Sequence, residues 1–172
     1  VMQLVVVPIQ GFTQGIQPII SYNFGARKFD RVKKTYRLTI SFTFAVATLF
    51  CLLTVSFPGI FAGIFTSDPE LLALVKKVMP IFMAGIAVFG IQMGCQTTFM
   101  GLGQAKISLL IALLRKVILL IPLALILPKF FGVMGIYYAE PISDITAATT
   151  AFFIFLKVRK KIVSDEALSR LS

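Results

Sequence analysis

The chain has 172 residues, of which 58% are hydrophobic and 14% charged. A soluble domain is about 45–50% apolar and about 25% charged, so a water-facing globule is excluded and an all-α integral membrane bundle is expected. The net charge of +10 would suit a nucleic-acid partner in a soluble protein. Here, however, the cations gather at the ends of apolar runs, as in the cytoplasmic loops of membrane proteins, so no nucleic-acid partner is expected.

A helix needs about 20 apolar residues to cross a hydrocarbon core of about 30 Å. Five stretches meet this need, roughly 1–24, 38–65, 78–101, 107–127 and 133–156. They predict a polytopic helical bundle of five transmembrane helices over residues 1–163, followed by a polar tail, 164–172, expected to be frayed.

The first stretch is the most polar. Gln10, Gln14 and Gln17 fall three to four residues apart and share a helical face, and Asn23 follows near its end. The second is long enough to tilt. Before the third, Ser67 and Asp68 are candidate N-caps, and Leu71–Lys77 reads as a short interfacial helix. The third stretch carries Gln92 and Gln96 at i, i+4. Its small residues Gly85, Gly90, Gly94 and Gly101 suit close helix packing. The glutamines Gln14, Gln17, Gln92 and Gln96, with Asn23, are read either as interhelical glue or as the lining of an aqueous cleft.

The fourth and fifth stretches hold ionisable groups, which are costly inside a bilayer and by default face a cavity or a partner. Arg115 and Lys116 lie about ten residues into the fourth. Glu140 and Asp144 lie in the fifth, at the i, i+4 spacing that puts both acids on one face. Two close acids can hold a shared proton near neutral pH, as a proton-coupled carrier requires. The alternative is a structural bridge from Arg115 or Lys116 to either acid. Pro141 lies between the acids, and Pro18, Pro58, Pro80 and Pro122 also fall in or beside spans, where prolines kink membrane helices.

Other chemistry finds little footing. The chain has no His, which removes the usual general base and most zinc or haem sites. No Walker A pattern is present. Cys51 and Cys95 lie in apolar runs and read as buried thiols. No enzyme activity, cofactor or metal is expected.

The connections set an orientation. The first connection, the third and the tail hold twelve cations; the second and fourth hold three. The richer side is expected to be cytoplasmic, with the C-terminus inside and Val1 on the outer side. An outer N-terminus without a basic leader suits a piece of a longer chain.

Two segments resemble a known family. Gly15-Ile16-Gln17-Pro18-Ile19-Ile20-Ser21-Tyr22-Asn23-Phe24-Gly25-Ala26, followed by a basic loop, is similar to the second helix of the C-terminal lobe of MATE exporters. Phe131-Gly132-Val133-Met134-Gly135-Ile136-Tyr137-Tyr138-Ala139-Glu140-Pro141-Ile142-Ser143-Asp144 resembles the end of that lobe, and Gly101-Leu102-Gly103-Gln104 also fits. The resemblance implies a two-lobe, twelve-helix transporter in the plasma membrane, of which this chain would supply helices eight to twelve. The N-terminal lobe of the same chain would be the missing partner. It implies export of cationic lipophilic drugs in exchange for H⁺ or Na⁺, with access alternating between the lobes. Some members place coupling acids in the tenth helix, but the matching stretch here, 78–101, has none. That leaves Glu140 and Asp144, with Arg115 beside them, as the local coupling candidates, and H⁺ as the favoured ion. A flippase for lipid-linked or polysaccharide precursors, of the same superfamily, is the rival reading.

Overall fold

The computed structural model describes residues 2–64 and 66–169, with side chains as far as residue 160. Val1, Phe65 and residues 170–172, parts of the expected first helix, second helix and tail, lie outside the described residues. Among those described, every regular element is helical: α1 (Met2–Gly25), α2 (Phe29–Ser56), α3 (Pro58–Gly63), α4 (Pro69–Gly101), α5 (Ala105–Leu113), a π-helical stretch Leu114–Leu120, α6 (Ile121–Phe131) and α7 (Val133–Ser169). In lipid the backbone must satisfy its own hydrogen bonds, and helices do this segment by segment.

Among the described residues, four helical runs are long and apolar enough to cross a bilayer: Phe29–Ser56, Pro69–Gly101, Ala105–Phe131 and Val133–Lys160. The sequence predicts five. The fifth, α1, has 24 residues, which spans about 36 Å, but its glutamine stripe makes it too polar to qualify by composition.

The helices overrun their predicted ends. The first basic connection shrinks to a turn at residues 26–28, so Arg31, Lys33, Lys34 and Arg37 belong to α2. Lys and Arg are good helix formers, so nothing there stops the helix. At its far end α2 stops at Ser56 rather than near residue 65. Pro58 follows, and the residue before a proline is pushed out of the α region; Phe57 has φ −127° and ψ 52°. The interfacial helix expected at Leu71–Lys77 is continuous with α4. Asp68 caps it, its side chain accepting from the Glu70 N–H at 3.0 Å. The predicted tail is likewise part of α7 through Ser169.

Glycine places α4 at the centre. A Cβ on Gly90 would run into the Thr43 carbonyl oxygen and lie 2.7 Å from Ala47 Cβ, and one on Gly94 would lie 2.8 Å from Ile40 Cα, so α2 lies directly on this face. At Gly85 a Cβ would meet Pro141 Cα at 2.9 Å, and at Gly101 it would meet the Ile20 side chain at 2.7 Å. These contacts seat α7 and α1. Close backbone approach is how membrane helices gain van der Waals packing when lipid gives them no hydrophobic drive.

Three buried hydroxyls of α2 are satisfied within that helix. Thr39, Thr43 and Thr54 donate to carbonyls one turn back at 2.8–2.9 Å. Cys95 is buried as expected. Cys51 is half-buried, with Sγ donating to the Met83 carbonyl at 3.3 Å, and both thiols are free.

Phe29 and Tyr36 of α2, Phe99 and Leu102 near the end of α4, and Phe155 of α7 share one core cluster. The basic start of α2, the turn between α4 and α5, and the basic stretch of α7 therefore lie at one end of the bundle.

Candidate functional site

The fourth predicted span is one 27-residue helix, Ala105–Phe131, interrupted by the π stretch at its middle. π segments are uncommon and often mark functional positions. Arg115 lies in this stretch and is buried, at 8% exposure. Its Nε donates to Asp144 Oδ1. Its Nη2 donates to Glu140 Oε1 at 3.3 Å, and Lys116 Nζ donates to the same oxygen at 3.4 Å. The i, i+4 spacing of the acids thus brings both onto one arginine, forming the bridge that the sequence left as an alternative.

The neighbours of this cluster fix its geometry. Ser143 Oγ donates to the Arg115 carbonyl at 2.7 Å, tying the π stretch to α7. The guanidinium carbon lies 4.4 Å from the centre of the Phe89 ring, a cation–π distance. A Cβ on Gly85 would come within 3.1 Å of Asp144 Oδ2, so α4 closes that side. Asp144 is 1% exposed, whereas the Lys116 side chain is 54% exposed. The cluster therefore has a dry end at Asp144 and an open end at Lys116. Pairing of this kind is what makes buried charge tolerable.

Gln14, Gln17 and Gln96 meet elsewhere. With Gln10, Thr13, Met93, Thr97 and Met100 they line a cleft of about 370 Å³ between α1 and α4. Gln96 also serves as glue, its Nε2 donating to the Ser108 carbonyl at 3.2 Å. Gln92 and Asn23 fall outside this lining. Gln92, one turn before Gln96 on α4, is 2% exposed. Asn23 donates to the Ile19 carbonyl at 2.8 Å, closing the last turn of α1. A second groove, about 320 Å³, is apolar and runs between Met2, Val75, Val78, Phe82 and Tyr137.

Sequence reasoning missed Ser143, Phe89 and the π stretch. Ser143 had a signal, since it is adjacent to Asp144 in a helix that charge pairs with the preceding span. Phe89 is one of 17 phenylalanines and nothing singles it out. The π stretch, LRKVILL, contains no Gly or Pro to announce it.

Long apolar helices packed through glycine, with a buried ion-paired cluster between two of them, define a multi-pass α-helical membrane protein. Residues 1–126 match the family model MatE, and the chain belongs to this family, the MATE transporters. It is 26% identical over 160 residues to the multidrug export protein MepA of Staphylococcus haemolyticus (strain JCSC1435), covering 92% of this chain and 35% of that protein. It is 27% identical over 158 residues to the protein of the same name from Staphylococcus aureus (strain N315), covering 91% of this chain and 34% of the relative. Among solved structures it is similar to the MATE multidrug transporter DinF-BH, with a TM-score of 0.85 and 31% identity, covering 92% of this chain and 35% of that one. The chain thus spans about a third of the length of the relatives it matches.

Proposed function

We propose that this chain is part of a secondary active multidrug exporter that releases cationic lipophilic compounds in exchange for H⁺ or Na⁺. The observation that supports this most is the match to MatE over residues 1–126, joined to relatives whose names state multidrug export. The cleft between α1 and α4 suits such cargo, because amide carbonyls and the thioethers of Met93 and Met100 offer adaptable, uncharged contacts. Glu140 and Asp144 are the ionisable anions this part of the carrier offers for coupling, and H⁺ is the ion we favour. The basic end of the bundle faces the cytoplasm, following the positive-inside rule.

The test uses the intact parent protein in a bacterial strain without its own drug pumps. Ethidium accumulation is followed with and without an uncoupler, beside Glu140→Gln and Asp144→Asn at matched expression. The expected result is low accumulation that the uncoupler raises and either substitution weakens. Accumulation equal to the empty vector would contradict drug export and direct the next assay to translocation of lipid-linked precursors.

A further inference from the structure

We infer that Arg115 is the resident cation of the acid pair in this lobe. Its guanidinium fills the place between Asp144 and Glu140 that a free monovalent cation would otherwise take, so Arg115 is the residue that keeps Na⁺ out of the cluster. The inference rests on reading these two acids as coupling candidates, and its test measures stability rather than efflux, so the two can fail separately.

Three observations support it. The first is balance. Two cations, Arg115 and Lys116, face two anions, Glu140 and Asp144, so the cluster sums to zero and offers no net charge to draw an ion from solution. The face that α4 turns to it carries Gly85 and Phe89, neither ionisable.

The second is attachment. Arginine stays protonated in proteins, so this cation is permanent. Its backbone carbonyl is held by Ser143 at 2.7 Å. A tethered group competes at a high effective concentration against a free one, which gives Na⁺ from bulk water a poor chance of displacing it.

The third is space. Asp144 is 1% exposed. Gly85 lies against its Oδ2 on one side, and the Phe89 ring covers the guanidinium at 4.4 Å. With Arg115 in place the Asp144 carboxylate is covered on these sides. Sodium prefers several hard oxygen ligands. Removing the arginine side chain would leave the Asp144 and Glu140 carboxylates facing the gap it occupied.

The intact parent protein, purified in detergent, tests this by its thermal unfolding midpoint in sodium chloride and in choline chloride at equal ionic strength. Wild type, Arg115→Met, and Arg115→Met combined with Asp144→Asn are compared. Arg115→Met is expected to lower the midpoint in choline by several degrees and to recover part of that loss in sodium. Its sodium-minus-choline difference should exceed that of wild type, and the double variant should return to the wild-type difference. Using this difference cancels any Na⁺ effect that arises elsewhere in the parent protein. If Arg115→Met alone gives no folded protein, the added Asp144→Asn is expected to restore the yield, because it restores charge balance. The same salt difference in all three proteins, or a double variant that folds no better than Arg115→Met, would overturn the inference.

Discussion

The polar groups of this bundle are kept in two different ways. Between α1 and α4, Gln10, Gln14, Gln17 and Gln96 line an open cleft of about 370 Å³. Between the π stretch and α7, Arg115, Glu140 and Asp144 are closed over and bonded to one another. An amide is neutral, so the first region can stay wet and exchange its partners. A charge is costly in lipid unless paired, so the second must be built to fit. The cleft is therefore the adaptable surface of this bundle and the cluster its tightly fitted part.

Substitutions sharpen that contrast. The largest effect is expected from Arg115→Met, which leaves the buried Asp144 carboxylate without its partner and the half-buried Glu140 with Lys116 alone. Breaking a buried pair costs about 3–5 kcal/mol, and the folded yield and unfolding midpoint of the intact parent should fall accordingly. Next comes Gly90→Val. Its side chain would collide with the Thr43 carbonyl and with Ala47, whose Cβ lies 2.7 Å from where the new Cβ would sit. Overpacking of this kind costs about 1–3 kcal/mol. It should loosen α2 from α4, which a cysteine cross-link between those helices would report. Ser143→Ala removes one hydrogen bond to the Arg115 carbonyl and should cost about 1 kcal/mol. Gln14→Ala, in the cleft, should stay within about 0.5 kcal/mol but, on the proposed drug-export reading, shift which drugs the intact parent favours, read as changed ratios among inhibitory concentrations. A large loss of stability from Gln14→Ala, or none from Arg115→Met, would dissolve the contrast.

Much of this was legible in the sequence because lipid imposes simple rules. Apolar runs of spanning length located the helices, and glycines at 85, 90, 94 and 101 marked the helix that others approach. The i, i+4 acids and the lone arginine in the preceding span pointed to one another. Helix ends were less legible. Hydropathy marks where lipid begins, not where hydrogen bonding stops, so α2 starts at Phe29 and α4 at Pro69, both earlier than the apolar runs. The π stretch was not legible at all. Its residues are ordinary helix formers, and the local widening goes with tertiary contacts, Arg115 to Asp144 and Ser143 to the Arg115 carbonyl. Gln92 and Asn23 share the residue type of the cleft lining, and Gln92 is only one turn from Gln96, yet both are buried away from the cleft, which residue type and spacing do not show.

The central claim, that Arg115 and Asp144 form one balanced unit, is tested most directly by a double-mutant cycle. Unfolding free energies of the intact parent would be compared for wild type, Arg115→Met, Asp144→Asn and the double variant. The account predicts strong coupling, with the double variant at least as stable as Arg115→Met alone, because the second change removes the charge that the first left unpaired. Two additive losses would contradict it and would mean that each residue is held by its own surroundings rather than by the other.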